Sequence, residues 1–221
     1  MPKQIAIDGP VGAGKTTIAR EAAKRLGFVY MDTGALYRAI GFYCMMHEID
    51  SYNERAVTAA LPGINLEIRL DDGEQLIFVN NADVTSRLRE PAISMAASRV
   101  SSYGEVRSFL LDLQQDFAAN NDIVMDGRDI GTVILPNATV KIFLWADPHE
   151  RAMRRYAELI QKGLDVKFED VLIDLERRDA DDSTREHAPL KQADDAIRID
   201  TTGNSLEDSI ELVINTIKEN L

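Results

Sequence analysis

The residues best suited to chemistry lie near the start of the chain. Gly9-Pro10-Val11-Gly12-Ala13-Gly14-Lys15-Thr16 satisfies G-x-x-x-x-G-K-[ST] at every fixed position. An apolar run ends at Asp8 just before it, and a helical pattern opens near Lys15 just after it. Each residue type has a physical reason in that order. Glycines let successive backbone N–H groups curve around phosphate oxygens without Cβ clashes. The helix N-terminus adds partial positive charge, and Lys15 is placed to reach the β and γ phosphates. The hydroxyl of Thr16, with Thr17 beside it, can ligate a Mg²⁺ bridging those phosphates. Residues 9–17 therefore predict binding of a nucleoside triphosphate.

Such a loop serves guanine-nucleotide switches, motor ATPases and small-molecule kinases alike. The guanine-reading pattern Asn-Lys-x-Asp is absent, and 221 residues is short for a motor. A kinase needs a second anionic pocket at the carboxyl ends of neighbouring strands. Two stretches offer one. Asp32-Thr33-Gly34-Ala35-Leu36-Tyr37-Arg38 follows an apolar run and opens a helix, with Thr33 as its cap and Tyr37 and Arg38 emerging in the first turn. Asp126-Gly127-Arg128-Asp129 follows Ile123-Val124-Met125, and Asp126 stands where a strand-end carboxylate would hold a Mg²⁺-bound water. Arg128 and Asp129 then project from a loop loosened by Gly127. A third stretch, "RRDADDSTREHAPL" at 177–190, reads by itself as a solvated charge run.

The elements that must position these residues alternate. Short apolar runs at 5–7, 28–31, 123–125, 140–145 and 196–199 predict buried parallel strands. Helical patterns lie between them, at about 15–26, 35–48, 104–120, 149–162, 168–180 and 205–219. This order predicts an α/β fold: a five-stranded parallel sheet of the P-loop NTPase type with helices on both faces. Residues 62–89 break the rhythm. Leu66, Ile68 and Leu70 alternate with polar residues, Asp71-Asp72-Gly73-Glu74 supplies a turn, and Asn80-Asn81 follows Leu76-Ile77-Phe78-Val79 as a second. They predict a small antiparallel insert, leaving 1–61 and 90–221 as the core.

Composition narrows the partners. Against 25 lysines and arginines stand 37 aspartates and glutamates, a net charge of −12, which argues against a nucleic-acid binder. An anionic ligand must then be held by a local arginine cluster. The sole cysteine, Cys44, reads as a small buried hydrophobe within an apolar run, and an intrachain disulfide is excluded. His47, His149 and His187 lack metal-ligand spacing and read as solvent-facing, and Trp145 reads as core. The start lacks a signal-peptide pattern and no run approaches a membrane span, so a cytoplasmic place is expected. No long apolar seam is left over, which predicts a monomer.

The chain also resembles the bacterial cytidylate kinases, nucleoside monophosphate kinases, over about residues 4–219. The resemblance rests on "IDGPVGAGKTT" at 7–17, "DTGALYR" at 32–38, "AAS" at 96–98, "VR" at 106–107, "DGRDIGT" at 126–132, "KIFLWADPHERAMRR" at 141–155 and "RDADDSTREHAPL" at 178–190. Val11 departs from the family, where a small residue is common, and the insert resembles the family's enlarged nucleotide-binding domain. The resemblance implies transfer of a phosphoryl group from ATP to CMP or dCMP, giving ADP and CDP or dCDP. It agrees with the residue reading that gives Gly9 to Thr17 to ATP and Mg²⁺ to Thr16 and Asp126, and Arg154 is expected at ATP beside them. Thr33, Tyr37, Arg38, Arg128 and Arg185 fall to the acceptor, the three arginines at its phosphate. Ser98, Arg107 and Asp129 fall to the cytosine edge, and Arg178 and Asp182 to the ribose. Lys15, Arg128 and Arg185 carry catalysis on this reading. At least one of Arg151, Arg154 and Arg155, on a lid at about 149–163, is expected to touch the donor. Asp179, Asp181 and Glu186 are left as solvated scaffold.

The residues themselves agree with that chemistry. An acceptor phosphate has its second pKa at about 6, so it presents an oxyanion at neutral pH and needs no general base. Catalysis then falls to positioning and charge neutralisation, for which bidentate guanidinium groups are suited. An Arg and Asp pair also suits an amino-pyrimidine, since Asp accepts from the exocyclic amine while Arg donates to ring acceptors. Two alternatives remain open: a related kinase acting on UMP, AMP or shikimate, and a nucleotide-dependent switch that transfers nothing.

Overall fold

The computed structural model describes residues 2–71 and 73–221. In chain order its elements are β1 (Gln4–Asp8), α1 (Lys15–Leu26), β2 (Val29–Asp32), α2 (Thr33–Met46), α3 (Glu54–Ala60), β3 (Leu66–Asp71), β4 (Glu74–Val79) and β5 (Ala82–Asp83). There follow α4 (Pro91–Val100), α5 (Gly104–Ala119), β6 (Ile123–Gly127), β7 (Val140–Trp145), α6 (Pro148–Gln161), α7 (Phe168–Thr184), β8 (Ile197–Asp200) and α8 (Leu206–Asn220).

The five expected strands form one parallel sheet in the order β2-β6-β1-β7-β8. Strand residues alternate between two cores because their side chains point to opposite faces. Ile5, Ile7 and Val124 face α1 and α8, where Ile18, Ala22, Val213 and Ile217 meet them. Ala6, Ile123 and Met125 face the other way, against Leu36, Ile40, Val106 and Leu110 of α2 and α5. Full burial of each such branched side chain is worth about 1.5–3 kcal/mol. Cys44 belongs to this second core, as its apolar neighbours required.

The insert is a three-stranded antiparallel sheet, β3-β4-β5. Its Ile77, Val79 and Val84 join the same core as α2. Gln75 also brackets the end of β2, accepting from the Asp32 N–H at 2.9 Å and donating to the Asp32 carbonyl at 3.4 Å. The expected turn at 71–74 includes Asp72, which lies outside the described residues; Gly73 beside it has φ +80.

Two helices and a strand escaped the periodicity: α3, α4 and the short β5. For α4 a signal was present, since Pro91 opens it and Ile93, Ala96, Ala97 and Val100 are buried at helical spacing. Trp145 departs from the core reading. It ends β7 half-buried, with the Arg198 guanidinium 4.9 Å from its ring centre. The three histidines are exposed as expected. α7 runs four residues past its expected end, to Thr184, so much of the 177–190 charge run is helix. Arg177 helps, pairing along that surface with Asp174 at 2.6 Å and Asp181 at 3.6 Å.

Candidate active site

The carboxyl ends of β1 and β6 open beside each other at the middle of the sheet, where ligands bind in such folds. β1 delivers the phosphate loop. Gly12 and Gly14 have φ +74 and +84, the left-handed region that lets the loop curl into α1. Gly14 caps α1 without a side-chain bond, which leaves the first N–H groups of the helix free for an anion. Gly9 serves packing instead, since a Cβ there would stand 2.1 Å from the Leu144 carbonyl oxygen of β7. Gly9 and Pro10 accordingly support the loop from behind, while Val11 to Thr17 line the cleft.

Lys15 is only 5% exposed and donates to the Pro10 carbonyl at 2.7 Å. Burial, and then the neighbouring Arg128 guanidinium, push its ammonium down to about 7. Thr16 Oγ1 donates to Asp126 Oδ2 at 3.0 Å, and the Tyr30 hydroxyl donates to Asp126 Oδ1 at 2.7 Å. Burial, followed by the nearby Asp32 charge, raises the Asp126 carboxyl above its ordinary range. Asp8 was not among the expected site residues, yet it shapes the site. Its two oxygens accept from the Ile130 and Gly131 N–H groups at 2.8 and 2.7 Å, fixing the loop after β6. Burial raises Asp8 to about 6. A carboxylate ending an apolar strand just before a phosphate loop was the available signal.

The second half of the cleft comes from α2, α4, α5, the loop after β6, and α7. Asp32, not Thr33, caps α2, accepting from Ala35 N–H at 3.2 Å. Thr33 is already inside the helix, and its hydroxyl donates to the Asp126 carbonyl at 2.8 Å. Arg38 pairs with Asp32 and keeps its buried Nε without a partner. Tyr37 is buried beneath the Arg107 guanidinium, 5.4 Å from the ring centre. Ser98 is exposed on α4 and borders the cleft. Gly127 does not loosen its loop: a Cβ there would meet Ile130 at 2.6 Å and Thr33 at 2.8 Å, so its absence permits tight packing.

Asp129 is 3% exposed and lies between two arginines, pairing with Arg107 and, at 3.3 Å, with Arg185. Burial lowers Arg185, and Arg107 nearby lowers it further. Burial also acts to lower Arg107, but Tyr37 and Asp129 outweigh it and the net direction is upward. Arg128 pairs with Asp182 at 2.7 Å, and Asp182 also stands 3.6 Å from Arg185. Arg178 has no ion pair among the described residues; burial and Arg128 lower its guanidinium. All these side chains border one cleft of about 760 Å³ that also holds the phosphate loop. That volume is in the range of nucleotide-sized sites.

The three arginines of α6 divide. Arg154 and Arg155 border the cleft; Arg154 donates to the Thr201 carbonyl at 2.9 Å and Arg155 pairs with Glu158 at 2.7 Å. Arg151 does not border it. Only 2% exposed, it donates to the Ala146 carbonyl at 2.8 Å and the Val11 carbonyl at 2.6 Å. It also pairs with Asp179 at 2.6 Å. Asp179 in turn accepts from the Val11 N–H at 2.9 Å. Asp179 is therefore no solvated scaffold: its partners, the Val11 N–H and Arg151, lie 168 and 28 residues away along the chain, and only the packing of α7 brings them to it.

A phosphate loop at the centre of a parallel sheet, opening into the same cleft as clustered arginines, defines a kinase of the phosphate-loop class. A family model described as cytidylate kinase matches residues 5–219. The chain is 47% identical to the cytidylate kinase of Caldicellulosiruptor bescii over 210 residues, 95% of this chain and 93% of that one. It is 46% identical to the cytidylate kinase of Thermosipho melanesiensis, covering 99% of this chain and 98% of that one. Among solved structures, an uncharacterized protein from Eubacterium ventriosum has the same fold, with a TM-score of 0.57 at 12% identity over 99% of both chains. The chain belongs to the cytidylate kinase family.

Proposed function

We propose that this kinase transfers the γ-phosphoryl group of ATP to the phosphate of CMP or dCMP. An oxygen of the acceptor phosphate forms a bond to the γ phosphorus while the bond to the bridging oxygen breaks, and ADP leaves with that electron pair. No proton need be removed first, because the acceptor's second pKa is about 6. The observation that supports this reading best is the buried Arg107–Asp129–Arg185 chain in the same cleft as the phosphate loop.

On this reading Lys15 and the free N–H groups at the start of α1 hold the β and γ phosphates. Arg154 meets the donor. Arg38, Arg128 and Arg185 hold the acceptor phosphate, with Thr33 and Tyr37 beside it. Ser98, Arg107 and Asp129 read the cytosine edge, and Arg178 and Asp182 meet the ribose. Lys15, Arg128 and Arg185 neutralise the charge that develops in transfer. The segment at about 149–163 closes over ATP as a lid, and 62–89 is the insert of the acceptor side.

The residues present fit Mg²⁺. Thr16 at the start of α1 and Asp126 on β6 offer a hydroxyl and a carboxylate, and no group of three or more His, Cys, Asp or Glu side chains converges among the described residues. A hard cation held mainly by phosphate oxygens suits that sparse donor set. When bound it would neutralise the β and γ phosphates. We read the chain as a cytoplasmic monomer that does not engage nucleic acid, in keeping with its net charge of −12. Among the described residues no helix is long and apolar enough to cross a membrane.

The direct test is ADP formation from ATP·Mg²⁺ with CMP, dCMP, UMP and AMP offered separately. CMP and dCMP should each stimulate ADP release well above the others; equal rates with UMP or AMP would overturn the acceptor assignment. Lys15 supplies a second test. Its ammonium lies near 7 before nucleotide binds, and the phosphates should return it toward its ordinary range. Binding of ATP·Mg²⁺ at about pH 8 should therefore be accompanied by net proton uptake at Lys15. Calorimetry in buffers of different ionisation enthalpy reads this uptake. An uptake near zero would show that the Lys15 ammonium is not held low in the free chain.

A further inference from the structure

We propose that Asp179 is a positioning residue through which acceptor binding sets the shape of the phosphate loop. The proposal rests on the acceptor assignment above. Helix α7 touches both halves of the site with adjacent rows of side chains. Leu175 and Asp179, four residues apart, face the phosphate loop. A Cβ on Gly12 would stand 3.2 Å from Leu175 Cδ1, and Asp179 Oδ1 accepts from Val11 N–H at 2.9 Å. Arg178 and Asp182, also four apart, border the cleft, and Asp182 holds Arg128 at 2.7 Å. Side chains four apart lie on one face of a helix, so each pair moves as a unit with α7.

Val11 is gripped through both of its flanking peptide groups. Its N–H goes to Asp179 and its carbonyl accepts from Arg151 of α6 at 2.6 Å, while Arg151 and Asp179 are themselves paired at 2.6 Å. Arg151 is 3% exposed and Asp179 20% exposed at the side chain, so little water competes for these bonds. The orientation of a phosphate-loop peptide is thus tied to where α7 sits. An acceptor that draws in Arg178 and Asp182 would move or steady α7, and Asp179 would carry that to the loop. Binding at one site would then change affinity at the other by the same factor in both directions.

The test is a binding cycle on the full chain. Affinity for ATP·Mg²⁺ carrying an imido group in place of the β–γ bridging oxygen is measured by calorimetry with and without saturating CMP. The wild-type chain should bind this analogue at least ~5-fold more tightly with CMP present. Asp179→Asn keeps an acceptor for Val11 but removes the charge that Arg151 faces. It should lower the factor while the affinity for CMP alone stays within about 2-fold. Asp179→Ala, which also removes the acceptor for Val11, should bring the factor close to one, and if it fails to fold, Asp179→Leu carries that comparison. Equal factors in wild type and Asp179→Asn overturn the coupling, as does a wild-type factor of one. A merely structural role would weaken both ligands together and leave the factor intact. Absence of CMP binding to the wild type overturns the acceptor assignment itself, and the coupling falls with it.

Discussion

Lys15→Met should leave a folded chain whose turnover is slower by on the order of 10²–10³-fold. Its stability should also respond to pH differently from the wild type. The Lys15 ammonium is buried, and its value of about 7 lies below the ordinary 10.5. Between those values the unfolded chain binds more protons there than the folded one, so wild-type stability rises with pH across that window. At and below the lower value the burden of a buried charge is fully present; by the upper value it is gone. Methionine carries no such charge. Losing the bond to the Pro10 carbonyl opposes part of the gain near neutrality, so the pH trend is the sharper readout. The difference in Tm between variant and wild type should shrink by several degrees as pH rises through the window. Each kcal/mol corresponds to about 2–4 °C for a chain of this size. A difference that does not change with pH would show that Lys15 is charged and comfortable in the folded state. Normal turnover would remove it from the chemistry.

Arg185→Ala should lower turnover by on the order of 10²–10³-fold with CMP while leaving affinity for ATP·Mg²⁺ nearly unchanged. The structure explains why this substitution is tolerable to the fold. Asp129 keeps Arg107, and Asp182 keeps Arg128, so neither anion is left alone. Asp129→Ala is the opposite case. It would leave Arg107 and Arg185, with side chains 9% and 6% exposed, facing each other without their shared anion. Breaking such a buried pair costs about 3–5 kcal/mol, enough to blur any kinetic result. Asp129→Asn is the better probe of base reading, because it keeps the shape and alters only charge and donor pattern. The preference for CMP over UMP should fall in that variant. An unchanged ratio would restrict Asp129 to holding the two arginines, and an unchanged turnover in Arg185→Ala would return that residue to the periphery.

The phosphate loop was legible because its chemistry is local. Successive residues from Gly9 to Thr16 supply the glycines, the lysine and the hydroxyl within one strand-turn-helix, so spacing along the chain nearly equals spacing in space. The parallel sheet was legible for a similar reason, since strands buried on both faces, such as Ile5 to Ile7, read as apolar runs. The acceptor half was legible mainly through resemblance. Arg38, Arg107, Arg128 and Arg185 lie far apart in sequence, and only the strand order brings their elements to one cleft.

Residue type and spacing established a triphosphate-binding α/β chain and nominated its arginines. Packing alone settled which charges are buried and what each one holds. Arg151 and Arg154 sit three apart on one helix, yet one grips the back of the loop and the other borders the cleft. Within "RRDADDSTREHAPL", Arg178 and Asp182 face the cleft while Asp179 bonds Val11, a peptide at the other end of the chain. The reason is physical: a carboxylate looks the same in sequence whether water or a buried N–H completes it, and only the folded chain brings that N–H within reach.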